Sequence, residues 1–209
     1  EKLEGFHKDL FVESLESLRL VEVFPGWWAK VLLFRQHQND RLIIDLDTII
    51  VGSLKNLVEK AQTSKCLVVL RDFYHPGEWG SGLMYLPGAK GSETSAFEAV
   101  YGLYSRDVPK KFRGDQDWIR QIGQNNLDSR FGVVFWQDIL EEHQIVSYKV
   151  HCTTESGLPS ALPPSTKVVC FHGQPKPKEL VSSCRWVDFL WNFRWEVCQK
   201  SINKEAKEA

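Results

Sequence analysis

The sequence predicts an α/β fold in a single domain. Short apolar, β-branched runs alternate with longer amphipathic stretches, and Gly- and Pro-rich segments punctuate them. At 209 residues the chain is also long enough to close one sizeable core. The expected layout is one domain over residues 1–200 and a polar tail over 201–209 that frays. Neither an internal repeat nor a low-complexity linker interrupts it.

Residues 1–17 give a charged, helix-like start, and residues 18–23 supply a strand before Pro25. The run from Gly26 to Phe34 is helix-like and apolar, interrupted by Lys30, whose stem can lie on apolar surface while its ammonium reaches out. Strands are expected over 42–45, 66–70, 83–86, 145–150 and 167–171, all short apolar runs. Helices are expected over 54–61, 94–104, 115–122 and 186–199. Ser53 and Ser92 read as N-caps, and Gly114-Asp115 as a helix start with its carboxylate at the positive end. Segments 75–82, 87–91 and 157–164 read as surface loops.

The last helix carries Trp186, Phe189, Leu190, Trp191, Phe193 and Trp195, more aromatics than one core stripe needs. It lacks the Lys/Arg face of an interfacial helix, so core packing is expected, with one face left for a partner or weak peripheral membrane contact.

Composition excludes several classes of function. The formal net charge is −1, so no global field favours nucleic acid. Apolar runs stay below the roughly 18 residues a transmembrane helix needs, and the polar first residues carry no secretory signal. The chain begins without Met, as expected of a processed or truncated start. Five cysteines (66, 152, 170, 184, 198) form no CxxC pair and no zinc spacing. A reducing, cytoplasmic setting is the expectation.

The richest stretch is 41–51, RLIIDLDTIIV, with Asp45 and Asp47 in an apolar run. Ionised Asp inside a buried strand is costly unless a positive group compensates it. Residues two apart share a strand face, so both carboxylates can converge on one hard cation, Mg²⁺ or Mn²⁺. The alternative is that both lie solvated at the strand's carboxyl end and cap the following turn. Gly80-Ser81-Gly82 can let a ligand approach the backbone or simply form a turn. Asp115-Gln116 can grip sugar hydroxyls or serve only as a helix start. In His172-Gly173-Gln174-Pro175-Lys176-Pro177, a His at a strand end stands beside a Lys between two prolines, a pattern suited to metal plus phosphate.

Taken in order, Gly26–Lys30 (GWWxK), Asp45–Thr48 (DLDT), Gly80–Gly82 (GSG), Gly114–Gln116 (GDQ), Val146–Lys149 (VSYK) and His172–Pro177 (HGxPKP) resemble a bacterial-type branch of glycosyltransferase family 8. That is the family of glycogenin and the lipopolysaccharide galactosyltransferases. The resemblance covers roughly residues 20 to 180. It implies a GT-A-type nucleotide-sugar-binding fold, a mixed central sheet flanked by helices. It further implies Mn²⁺- or Mg²⁺-dependent transfer of a hexose from a UDP-sugar, with retention, to a glycan, lipid-linked or protein acceptor. By the same resemblance Asp45, Asp47 and His172 hold the metal, Lys176 pairs with a phosphate, and Gly173 is among the cofactor-binding residues. Asp115 and Gln116 face the donor sugar, with Ser81 and Lys30 near the donor. Asp115 is the only nucleophile the resemblance offers, and retaining transfer can proceed on one face without one.

Two departures stand out. In better-known members the metal His lies three residues before the Gly of an HxxGxxKP motif. That position here is Cys170, while His172 directly precedes Gly173; the two share a strand face, and a hard cation prefers His. The family's opening strand and base-binding loop have no counterpart in 1–17, so the expectation is a fragment or a short natural form. That leaves a catalytically impaired binding or scaffold module as the alternative. Haloacid-dehalogenase phosphatases also use Asp-x-Asp after a strand, but with Thr or Val four residues after the first Asp. Here Thr48 follows Asp45 by three.

Overall fold

The computed structural model describes residues 24, 26–35, 38–88, 98–125 and 132–191. The start over 1–17, the expected strand over 18–23, the cap Ser92, residues 94–97 and 192–199 of two expected helices, and the tail lie outside the described residues. The protein is mixed α/β. After a 3-10 helix, Gly26–Phe34, come β1 (Arg41–Ile44), β2 (Thr48–Ile50), α1 (Lys55–Ser64), β3 (Leu67–Arg71) and β4 (Trp79–Leu86). Helices α2 (Glu98–Gly102), α3 (Val108–Lys111) and α4 (Asp115–Asn125) follow. The chain continues through β5 (Val133–Phe135), α5 (Trp136–Ile139), β6 (Ile145–Ser147), α6 (Tyr148–His151), β7 (Val168–Cys170) and α7 (Pro177–Leu180). Residues 185–191 are helical again.

The strands form two sheets, one ordered β1-β4-β3-β5 and one ordered β2-β7-β6. In the second, β2 runs antiparallel to β7 and β6 parallel to it, with Thr48 and Ser147 both opposite Cys170. The described residues divide into two compact units. The first takes those up to Arg41, Lys65–Leu67 and Tyr85–Val133; the second takes Leu42–Ser64, Val68–Met84 and those from Val134 onward.

In the first unit the 3-10 helix packs on α2 and α4. Phe24 stacks on Tyr104 at 4.5 Å between centroids, and Trp28 tilts onto the same ring. Trp118 of α4 satisfies its indole N–H on the Val100 carbonyl at 2.8 Å, as a buried Trp must.

The second unit is centred on Ile49, Val146, Tyr148, Val169 and Phe171, closed by Leu180, Cys184 and Val187. Tyr148 and Phe171 stack at 4.8 Å and 13°. The last helix joins this core as expected: Trp186, Leu190 and Trp191 pack on it while Phe189 is exposed. Phe193 and Trp195 lie outside the described residues. Among the described residues no helix is long and apolar enough to cross a membrane.

The strand expected over 42–45 is present as β1, and two other expectations need correction. The run 41–51 turns at Asp45, the alternative the sequence offered, and there the Thr48 amide donates to the Asp45 carbonyl at 3.1 Å. The turn leaves Leu46 96% exposed and hands the chain from one sheet to the other. Two carboxylates at a turn keep water that a strand interior would deny them. The expected loop over 75–82 is half strand, since β4 already begins at Trp79. Its glycines signal close packing: a Cβ on Gly80 would lie 3.2 Å from Leu70 Cβ. Finally, the strand over 145–150 stops at Ser147, where the backbone turns into α6 and the Cys152 amide bonds the Tyr148 carbonyl.

Candidate functional site

The second unit gathers four of the six motifs. The antiparallel register of β2 on β7 carries the chain ends past Thr48 and Cys170 to the same edge. There the Phe171 amide donates to the Asp47 carbonyl at 3.3 Å. His172 follows immediately, so strand pairing alone brings Asp47 and His172 to one place. The Asp45 amide continues the other sheet by donating to the Gly82 carbonyl at 2.9 Å. A Cβ on Gly82 would stand 3.6 Å from Asp45 Oδ2, so Gly82 and the carboxylate lie side by side. Ser81 is buried and, by strand alternation, faces away from the side on which Gly82 meets Asp45.

Lys176 Nζ donates to Asp47 Oδ2. The Lys is placed by its own backbone: its amide donates to Glu179 Oε2 at 2.9 Å, and Pro177 opens α7. Capping by Glu179 and the fixed φ of Pro at the first helical position hold this turn.

His172 Nε2 is buried and has no hydrogen-bond partner. Burial holds the imidazole below its usual pKa, while Asp72, Asp47 and Asp45 pull it up and Lys149 pushes it down. The ring lies 5.4 Å from that of Phe73. A neutral imidazole with an unpartnered nitrogen is ready to accept a proton donor or a cation. Cys170 behaves differently: burial, then Asp45, push its thiol up to about 12, against a hydrogen bond from Thr48. Burial thus disfavours the Cys170 thiolate, whereas His172 offers an unpartnered nitrogen.

Gly173 adopts φ +67°, the left-handed region where a side chain costs about 1–2 kcal/mol. A Cβ there would also sit 3.6 Å from Lys149 Nζ. Lys149 is the residue that sequence reasoning quoted but gave no role; its signal was the VSYK segment, which α6 turns toward Gly173. The second unit thus sets two ammonium groups beside two carboxylates and a neutral His.

The first unit joins the remaining two motifs. Lys30 Nζ lies 3.3 Å from Asp115 Oδ2, with side chains 12% and 8% exposed. Trp27 Nε1 lies 3.6 Å from where a Gly114 Cβ would be. Asp115 opens α4 and Gln116, half-buried, follows it. Asp117 is held by Arg113 Nε at 2.8 Å, which lowers its pKa.

The donor set of the second unit, two carboxylates and one imidazole, has the chemistry of a hard or borderline divalent cation site. Of this set, the buried, unpartnered His172 Nε2 is the atom that suits such a group. Among the described residues, no three His, Cys, Asp or Glu side chains converge into a metal-binding cluster. Compared with family models and with curated proteins, the chain matches none.

Proposed function

We propose that the protein is a divalent-metal-dependent glycosyltransferase that moves a hexose from a UDP-sugar to an acceptor with retention, on a GT-A-type fold. One observation carries this reading. Asp47 and Lys176, 129 residues apart, form an ion pair beside the buried, unpartnered His172 Nε2. These are the groups that the motif resemblance assigns to metal and diphosphate, and the chain does not bring them together by local sequence.

In this reading Asp45, Asp47 and His172 hold Mn²⁺ or Mg²⁺, which when bound neutralises charge growing on the departing diphosphate. Lys176, which pairs with Asp47, would be the ammonium available to a phosphate oxygen of the donor. Lys149 supplies a second ammonium at Gly173, and a preplaced positive charge stabilises a leaving diphosphate without reorganisation at the moment of bond breaking. Asp115 and Gln116 are assigned to the donor sugar and Lys30 to holding Asp115 in place; Ser81 contributes to the scaffold under the site.

The second reading, a catalytically impaired binding or scaffold module, draws on the absence of a converged metal cluster among the described residues. One experiment separates them: titrate Mn²⁺ with UDP into the protein, then measure UDP release from a panel of UDP-sugars. Metal-dependent UDP binding with turnover supports the transferase. Binding without turnover supports the impaired module, and no binding removes both donor-based readings.

A further inference from the structure

Beside the carboxylate cluster, the second unit contains a cavity of about 240 Å³ that the donor groups do not use. Phe73, Trp136, Leu140 and Ile145 give it apolar walls, and Glu141, Glu142, His143 and His151 give it polar ones. Phe73 is a shared partition: one ring contact is His151 at 5.6 Å, another is His172 at 5.4 Å. Gln137 also lines the space, but its amide is committed to the Arg71 backbone through bonds of 3.0 and 2.8 Å.

Two features mark this cavity as more than a packing defect. His143 holds φ +65°, unfavourable for a residue with a side chain, and such strain concentrates at functional sites. That backbone sets its ring 5.6 Å from His151. His151 is itself oriented, since its Nδ1 takes the Ser147 amide proton at 3.1 Å, which leaves Nε2 of the neutral ring as a donor. The polar groups are therefore positioned.

We infer that this cavity is the subsite for a neutral, hydroxyl-bearing acceptor sugar, an inference that rests on the transferase reading above. The size excludes a whole nucleotide sugar, because sites for drug-sized ligands run from about 300 Å³ upward. Charge selects further. Two glutamates among the lining groups repel phosphorylated or acidic ligands, whereas sugar hydroxyls donate to carboxylates and exchange hydrogen bonds with imidazole. The aromatic walls suit the apolar face of a pyranose. The Phe73 partition puts this pocket next to His172, where a sugar entering from the acceptor side would approach the metal groups.

The test uses the whole chain with methyl β-galactoside and methyl α-glucoside as probes, following histidine ring-proton signals by NMR. The expected result is that a glycoside shifts the His143 and His151 signals. His143→Gly, which keeps the left-handed backbone, and Glu142→Gln should each weaken that binding roughly fivefold or more, as for loss of one hydrogen bond of about 1 kcal/mol. Binding of Mn²⁺ with UDP, measured separately, should be unchanged in both variants. Glycoside binding that leaves the two His signals unmoved, or that survives both substitutions, overturns the subsite, as does the absence of glycoside binding in the wild type. Loss of Mn²⁺–UDP binding by the wild type overturns the transferase reading instead, and the acceptor role with it.

Discussion

Lys176 reaches Asp47 from the start of α7, tying the Asp45–Thr48 turn to a segment 129 residues later. The Lys side chain is 41% exposed and the Asp 28%, so solvent screens the pair and its share of stability is small. Lys176→Ala is expected to change unfolding free energy by no more than about 1 kcal/mol. The same substitution should weaken Mn²⁺–UDP binding by about 1–3 kcal/mol, the worth of a charge-assisted contact. Calorimetric titration beside urea denaturation checks both. A large stability loss with unchanged UDP affinity would make Lys176 a structural residue.

Asp47→Asn keeps the shape of the side chain and removes its charge. It is expected to abolish metal-dependent UDP binding while leaving circular dichroism and melting nearly unchanged, because the turn is hydrated and the backbone bonds that place Asp47 remain. Free Mn²⁺ measured by electron paramagnetic resonance reads this directly. Wild-type Mn²⁺ retention in the variant would sink the metal assignment.

The chemically unusual residues were legible in the sequence, but their placement in space was not. The residue types at positions 45, 47, 172 and 176 pointed to cation and phosphate chemistry because they are chemically unusual beside apolar strands. Their convergence was not legible: it follows from β2 pairing antiparallel with β7, a long-range choice. The glycines of 80–82 read as loop because local propensity cannot see Leu70 pressing on the strand. The end of β1 at Asp45 was legible, but β2 was not, because Thr48–Ile50 continues the same apolar run although it belongs to the other sheet. Three-residue β5 and the four-residue helices were too short to leave a period.

The buried histidines give a pH signature. Burial holds both His172 and His151 below their usual range, so each is neutral in the folded protein where an unfolded chain would already bind a proton. The unfolded state therefore gains protons first as pH falls below about 6.5, and stability declines from there toward the folded pKa values. Above that window stability is flat with respect to these groups. Replacing His172 with Gln should flatten the slope by at most about 1.4 kcal/mol per pH unit. Urea midpoints between pH 5 and 8 provide the comparison, and an unchanged slope would contradict the burial.

Lys149 and Asp72 act on His172 in opposite senses. Lys149→Met removes a positive charge and should raise the His172 pKa; Asp72→Asn should lower it. Histidine ring-proton titration by NMR measures both directions in one series. If Lys149→Met leaves that pKa unchanged, the ammonium lies too far from the site to serve a diphosphate.

Lys30 and Asp115, in the first unit, form an ion pair more buried than that of Lys176 and Asp47, and its energetics differ. With side chains 12% and 8% exposed, neither charge has bulk water to fall back on. Removing one partner of a buried pair leaves the other uncompensated, at about 3–5 kcal/mol. Lys30→Met is therefore expected to destabilise the protein strongly, and Lys30→Met combined with Asp115→Asn to destabilise it less, since the second change removes the stranded charge. A double-mutant cycle by urea denaturation measures the coupling. If the single Lys30 variant loses little stability but most donor binding, the pair is held together for ligand contact and Lys30 belongs to the donor site. If stability falls as expected and the double variant recovers part of it, the first duty of Lys30 is to hold Asp115 in place at the start of α4.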